Sequence, residues 1–382
     1  MSAKRKRKVR VAFSKNRSKR TRSEDLTRRA LRDFESVEDL STEERVSGKG
    51  DLTRRRTVIA EVDATGAADQ PVIDVDESAC LRGRVLYVIG ANRCRVLTTP
   101  GDEIDCTVRR RVRTLARDAR NAVVAGDLVT LRMVGDEAGV VERVEPRTTA
   151  LSRVSGRREH LIAANVDQAV IVVSAVDPPL KPGLIDRFII SAERGHLEPV
   201  VCINKVDLDD PVRLQPIVGV YARLGYHVVL VSATTGVGLD RLRQILKGQQ
   251  AVLTGQSGVG KTSLLNALQP ELDRRTREVS ADSGKGRHTT RVAETIPLST
   301  GGAVIDTPGI RQLELWDIEQ GEVEGYFREF RPFVAGCRFP DCLHLHESEC
   351  SVRRAVDEGY IASMRYESYI RIVTGDDGAG EG

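Results

Sequence analysis

No apolar run in these 382 residues approaches the ~18 that a membrane-spanning helix needs, so no span is expected. No apolar stretch follows the first basic residues either, and a secretory signal is not expected. Cysteine is sparse. Seven in so long a chain do not make a disulfide scaffold, and a reducing, cytoplasmic setting is expected. Membrane, secreted and fibrous classes drop out. Acid is missing where base is densest: eleven Lys and Arg precede the first acid, Glu24.

The net charge of +4 hides that asymmetry. Residues 1–56 hold 19 Lys and Arg against 9 Asp and Glu, a net +10, which leaves −6 for the remainder. A segment such as Lys4-Arg5-Lys6-Arg7-Lys8 cannot bury apolar area, so residues 1–78 are expected to form a basic, largely disordered extension. Counterion release draws such an arm to a polyanion with little regard for sequence. A charged tail that only aids solubility is the alternative.

The length predicts two to four domains, and 40% apolar residues suffice for a sizeable core. Over 81–88, 93–97, 104–112, 128–134 and 140–144, apolar residues recur at strand spacing, with turns at Pro100-Gly101, Gly126-Asp127 and Gly135-Asp136. Five short strands predict a barrel of the oligonucleotide-binding (OB) type over residues 79–148. Its outward face is expected to display Arg84, Arg93, Arg95, Arg109 and Arg111. Tyr87 is its only aromatic residue, so phosphate and shape contacts should outweigh base stacking.

Texture changes again near Val166. Residues 169–176 are an apolar run, as in a strand buried on both faces of a parallel sheet. Further strands are expected at 199–203, 228–231, 251–253, 294–298 and 303–305, with helices at 184–192, 214–224, 239–246 and 263–268. Alternation of strand and helix predicts an α/β doubly wound domain over 149–320. Residues 321–382 read as a helical domain holding a cysteine cluster, and a tail.

Gly255-Gln256-Ser257-Gly258-Val259-Gly260-Lys261-Thr262 fits the phosphate-loop pattern between a strand and the helix that opens near Ser263. Its glycines let backbone N–H groups turn inward around phosphates. Lys261 would reach the β- and γ-phosphates and the Thr262 hydroxyl would ligate Mg²⁺. Asp306-Thr307-Pro308-Gly309 ends a strand; Asp306 can hold Mg²⁺ through water and the Gly309 N–H can sense the γ-phosphate. Asn204-Lys205-Val206-Asp207 ends another strand, where an Asp acceptor selects guanine through N1–H and the 2-amino group. Ser232-Ala233 could offer a backbone N–H to guanine O6.

The usual order of these motifs in a GTPase is phosphate loop, D-x-x-G, N-K-x-D, S-A. Here N-K-x-D and S-A come first, a circular permutation. Chain ends can move in this way where termini lie close together at the surface. The arrangement resembles the ribosome small-subunit-dependent GTPase A family, bacterial circularly permuted GTPases, over roughly residues 80–370. The resemblance implies an OB barrel, a permuted P-loop GTPase domain and a helical zinc domain in that order.

It also implies the ligands. Cys337, Cys342, His344 and Cys350 match the family's zinc pattern, a closed Cys₃His set for one structural Zn²⁺. His346 is a rival ligand. In Gly284-Lys285-Gly286-Arg287-His288-Thr289-Thr290, a glycine-rich first switch, Thr290 is the expected Mg²⁺ ligand and Thr289 the alternative. Ile310 stands where many GTPases carry a water-orienting Gln, so His288 becomes the catalytic candidate. GTP and GDP, Mg²⁺, the small ribosomal subunit with its rRNA, and a monomeric cytoplasmic chain complete the expectation. An ATP-driven RNA remodeller and a zinc-stabilised RNA-binding scaffold with structural nucleotide are the rivals.

Overall fold

The structure is a computed structural model that describes residues 5–12, 55–62, 72–73, 75, 77–90, 92–115, 122–135, 137–155, 158–269, 293–306 and 320–375. It divides into two units, 1–75 and 76–382. In the first, strands β1 (Arg5–Ala12), β2 (Arg55–Val62) and β3 (Val72–Ile73) form an antiparallel sheet. The expectation of a basic, largely disordered extension over 1–78 did not include these strands. Composition hid local patterning: Val9-Arg10-Val11 alternates, and the β-branched Thr57-Val58-Ile59 lies in register with Lys8-Val9-Arg10.

The second unit begins with a barrel. Strands β4 (Leu81–Ile89), β5 (Arg93–Thr98), β6 (Glu103–Val108), β7 (Leu128–Val134) and β8 (Ala138–Val144) run in the order β4-β5-β6-β8-β7, and β7 pairs back onto β4. Only β6 and β8 are parallel neighbours. Alternation sends Cys94, Val96, Ile104 and Cys106 inward, and closure leaves no free sheet edge. The strand expected over 104–112 stops at Val108, and helix α1 (Arg110–Leu115) follows. Arginine favours helix, and Val112 is the buried residue that anchors it.

The expected basic face is also corrected. Arg84 turns to the seam with the next domain, where its Nη1 donates to Gly126 O at 3.2 Å and Asn165 O at 3.1 Å. A β-bulge between Val85 and Tyr87 re-aims this strand. Arg95 sits 3.4 Å from Asp105, and Arg109 lies 2.9 Å from the buried Glu142. Arg93 is exposed, and the side chain of Arg111 lies outside the described ones.

A hairpin that the sequence reading missed, β9 (Ala150–Ser155) with β10 (Arg158–Ala164), leads into the central sheet. Beside it, Asp127 is fully buried and paired with Arg147 at 2.7 Å. Gly126 is needed here, because a Cβ would sit 2.1 Å from Ala164 O. Asn165, in the left-handed region at φ 52°, accepts from the Thr148 N–H at 3.1 Å.

Strands β11 (Gln168–Ser174), β12 (Glu198–Asn204), β13 (His227–Leu230), β14 (Gln250–Thr254), β15 (Glu294–Pro297) and β16 (Ala303–Asp306) form the sheet β13-β12-β11-β14-β16-β15. All neighbours are parallel except β15 and β16. Helices α2 (Pro182–Arg194), α3 (Gln215–Arg223), α4 (Leu239–Leu246) and α5 (Lys261–Leu268) cover both faces. Val170 and Val172 pack with Leu242, Leu246 and Leu264, while Ile171 and Val173 pack with Phe188, Ile189 and Tyr221. That is why β11 reads as unbroken hydrophobicity. Glu294 of β15 is in register with both Asp306 and the barrel's Tyr87, so sheet and barrel are continuous.

The remaining described helices are α6 (Gln320–Val323), α7 (Arg331–Val334), α8 (Ser351–Asp357) and α9 (Ser363–Thr374). Phe327, Phe330, Val352, Tyr369 and Val373 form their core. Each fully buried side chain of this size stabilises by ~1.5–3 kcal/mol. Helix α9 packs against α2.

Candidate functional site

Three loops leave the carboxyl ends of neighbouring parallel strands, where open α/β sheets bind ligands. The loop after β14 carries Gly255 to Gly260 and runs into α5. Gly255 has φ 139°, and a Cβ there would come within 2.1 Å of Val172 O; only glycine lets the chain turn so close to β11. Lys261 opens α5. Its ammonium folds back over the loop and donates to Gly255 O at 2.7 Å and Gln256 O at 2.8 Å. Burial pushes its pKa below the ordinary lysine value, and the Asp306 carboxylate pulls it back up. A half-desolvated cation held by carbonyls suits an incoming phosphate. Thr262 and Ser263 are exposed on the first turn, as are Ser257 and Gly258 in the loop, while Val259 is buried.

Asn204, at the end of β12, is buried and joins the loops. Its Nδ2 donates to Val259 O in the phosphate loop at 2.9 Å, and its Oδ1 accepts the Ala233 N–H at 3.2 Å. Gly260 permits this approach, since a Cβ there would lie 2.6 Å from Asn204 Nδ2. Segments 29 and 55 residues away along the chain are thus fixed to one side chain. Lys205 adopts the left-handed region at φ 63° and donates to Asp177 O at 2.6 Å. Asp207 is exposed beside it. Buried Ser232 accepts the Thr235 N–H at 3.0 Å and shapes the turn that carries Ala233. The Ala233 N–H, expected to face guanine O6, is held here by Asn204. Asp306, half-buried at the end of β16, is in register with Leu253 next to the phosphate loop.

A second cluster lies in the C-terminal domain. The ligand atoms of Cys337, Cys342, His344 and Cys350 all lie within 4.8 Å of one another. Cys337 Sγ and Cys350 Sγ are 3.9 Å apart, close to the ~3.8 Å edge of a tetrahedron with ~2.3 Å Zn–S bonds. His344 Nδ1 is 3.3 Å from Cys350 Sγ and 3.6 Å from Cys337 Sγ. On the other side of the ring, Nε2 lies 2.9 Å from Glu324 Oε2, the carboxylate partner that metal-bound imidazoles usually carry. His344 is fully buried at φ 57°, with its carbonyl held by the Tyr366 hydroxyl at 2.6 Å. His346 is exposed and outside the cluster. Burial first, then neighbouring sulfurs, pushes the Cys342 thiol up to about 12. A bound cation would reverse that.

Residues 144–316 match the model of the RsgA GTPase family. A small ribosomal subunit biogenesis GTPase RsgA of Caldanaerobacter subterraneus subsp. tengcongensis is 42% identical over 250 residues, which are 65% of this chain and 82% of that protein. The chain belongs to the RsgA GTPase family. Of solved structures, YjeQ from Thermotoga maritima aligns at 35% identity and TM-score 0.63, over 78% of this chain and 98% of its own. YloQ, a circularly permuted GTPase, aligns at 30% identity and TM-score 0.62, over 81% and 99%.

In this RsgA-family chain the permuted order leaves the loops spatially adjacent, because the sheet order sets adjacency. His288, Thr289, Thr290, Gly309 and Ile310, read above as switch and catalytic positions, lie outside the described residues. Sequence reasoning missed Glu324, which stands 20 residues from His344 with no motif to mark it. It placed Asn204 in the nucleotide-binding motif without foreseeing that its amide ties the loops together.

Proposed function

We propose that this chain is a Mg²⁺-dependent GTPase of small-subunit maturation that binds the small ribosomal subunit through its rRNA and turns over faster there. Lys261 and the loop N–H groups hold the β- and γ-phosphates, and Thr262 and Thr290 hold Mg²⁺, with Asp306 acting through water. Asp207 accepts from the guanine edge while Lys205 and Ala233 flank it. His288 orients the attacking water and Gly309 senses the γ-phosphate. Cys337, Cys342, His344 and Cys350 hold one structural Zn²⁺, which supplies a cross-link and no open position for chemistry. The barrel is of the OB type, and the protein works as a cytoplasmic monomer.

The observation that carries this reading is the Asn204 amide spanning Val259 O and the Ala233 N–H at 2.9 and 3.2 Å. It closes the guanine-selecting and phosphate-binding loops around one space. The relatives whose names give small-subunit biogenesis support the partner.

Turnover titrated separately with purified small and large subunits tests it. Stimulation by small subunits alone is expected; a flat response would favour the scaffold with structural nucleotide. Asp207→Asn should weaken guanine nucleotides and improve xanthine ones, because the amide donates where the carboxylate accepted. Unaltered preference would remove Asp207 from the base site, and competition by ATP would favour the remodeller.

A further inference from the structure

The barrel has two polar faces that differ in charge balance. On β5 and β6, Arg95 is met by Glu103 at 3.9 Å and Asp105 at 3.4 Å, and exposed Arg93 lies on the same face. The Arg95 guanidinium is also 3.5 Å from the hydroxyl of Tyr87, the barrel's one ring. Among the described residues this face is balanced in charge and has no free stacking platform, so it offers a polyanion no surplus of cations.

On the side of α1, β7 and β8 cations predominate around one acid. Glu142 of β8 is buried, its side chain 6% exposed, and its Oε1 lies 2.9 Å from Arg109 Nη2 and 3.8 Å from Arg132 Nε. The two guanidinium-bearing side chains stay open to solvent, 48% and 43% exposed. Helix α1 packs on β8, and the Arg113 N–H donates to Arg109 O at 3.3 Å, which sets Arg113 one turn above Arg109. Among the described residues, the Nε atoms of Arg113 and Arg132, and Glu142 Oε1 despite its ion pairs, are buried without a hydrogen-bond partner. Among the described residues, Arg109 and Arg132 thus share one carboxylate and Arg113 stands one turn from Arg109, three cations to one acid, with two N–H donors already stripped of water.

A desolvated, unpaired donor is costly and seeks an acceptor. A phosphate oxygen is a strong one, and it adds a charge-assisted bond. We infer that Arg109 and Arg132, paired with Glu142, and Arg113 one turn from Arg109 are the surface on which the barrel takes the phosphodiester backbone of RNA, in place of its β5–β6 face. The inference rests on the proposed binding of the small subunit, and it places that contact on one side of one domain. Glu142 then acts as a built-in competitor, holding the arginines in position and giving way to phosphate.

Binding of the full chain to purified small subunits and to naked small-subunit rRNA, measured across a salt series, tests this. Arg109→Gln and Arg132→Gln should each weaken both interactions and lower the slope of log K against log salt by about 0.7–0.9. Arg95→Gln should leave affinity and slope as they are. Should Arg109→Gln destabilise the barrel by stranding Glu142, Glu142→Gln keeps the question open to measurement. It removes the competitor and should tighten binding severalfold. Guanine-nucleotide affinity, unchanged in every variant, reports an intact fold.

A parent chain that binds neither probe would defeat the proposed function itself. A parent that binds with a steep salt slope, alongside folded variants with the same slope, would overturn the inference alone. So would loss of subunit binding with naked rRNA bound as before, which would assign the face to an acidic ribosomal protein.

Discussion

Arg365 of α9 and Asp186 of α2 form an ion pair buried between the C-terminal domain and the central sheet. Their side chains are 2% and 0% exposed. Arg365 also donates to Glu329 at 2.6 and 3.2 Å and lies 4.4 Å over the Phe327 ring, while the Tyr221 hydroxyl donates to Asp186 at 2.6 Å. Burial pushes the Asp186 carboxyl up, and Arg365 opposes that shift. Arg328 adds a second tie, 2.7 Å from Glu193 and over the Tyr226 ring.

Removing one partner strands the other. Arg365→Met should therefore lower the unfolding free energy by about 3–5 kcal/mol. Arg365→Met with Asp186→Leu and Glu329→Leu should recover much of that loss, since no lone carboxylate then stays buried. Chemical denaturation of both variants checks it; equal losses would mean that packing, not the pair, holds the domains together.

Asn204→Ala should weaken GTP and GDP about tenfold or more. It leaves the Ala233 N–H and the Val259 carbonyl without their buried partner, each worth ~1–3 kcal/mol. Titration with a fluorescent guanine nucleotide reads the change. An affinity within twofold of the parent would show that the loops hold together without the amide.

Much of the α/β domain was legible because β11 and β12 are buried on both faces, leaving apolar runs that α2 to α5 punctuate at helical spacing. The phosphate loop was legible for another reason. Gly255 and Gly260 are required by close backbone approach, which leaves a local mark in the sequence. Partners far apart in the chain leave none. Nothing near Arg365 points to Asp186, 179 residues away, and nothing near Arg84 points to Asn165. The arginines of the barrel misled for the same reason: alternation tells which face a residue occupies, not whether Asp105 or Glu142 waits opposite. In the N-terminal unit, composition outweighed the short alternation that pairs β1 with β2.

Glu294 should give a pH signature. Burial, then the neighbouring Asp306 and Glu103 carboxylates, raises its pKa above the ordinary value. A raised acid binds its proton more tightly when folded, so its contribution is fully present below pH ~4.3 and is lost as pH rises through the folded pKa. Glu294→Gln should accordingly melt higher than the parent at pH 7–8, and the gap should close toward pH 4. Thermal melts of both chains across that range, without Mg²⁺, decide it; a constant difference would trace the effect to packing.

Glu324 should matter to metal retention and not to nucleotide. By accepting from His344 Nε2 at 2.9 Å it fixes the tautomer that leaves Nδ1 free for a cation. The purified chain should hold one zinc, and Glu324→Ala should lower zinc affinity by about 10–100-fold in competition with a chromophoric chelator. Cys350→Ala removes a thiolate and should abolish tight binding. Both variants should bind GTP as the parent does, because the zinc cluster and the phosphate loop belong to different cores. His346→Ala serves as the control on the neighbouring histidine and should retain zinc. Should His346→Ala release the metal while Glu324→Ala keeps it, the assignment of His344 as the ligand fails.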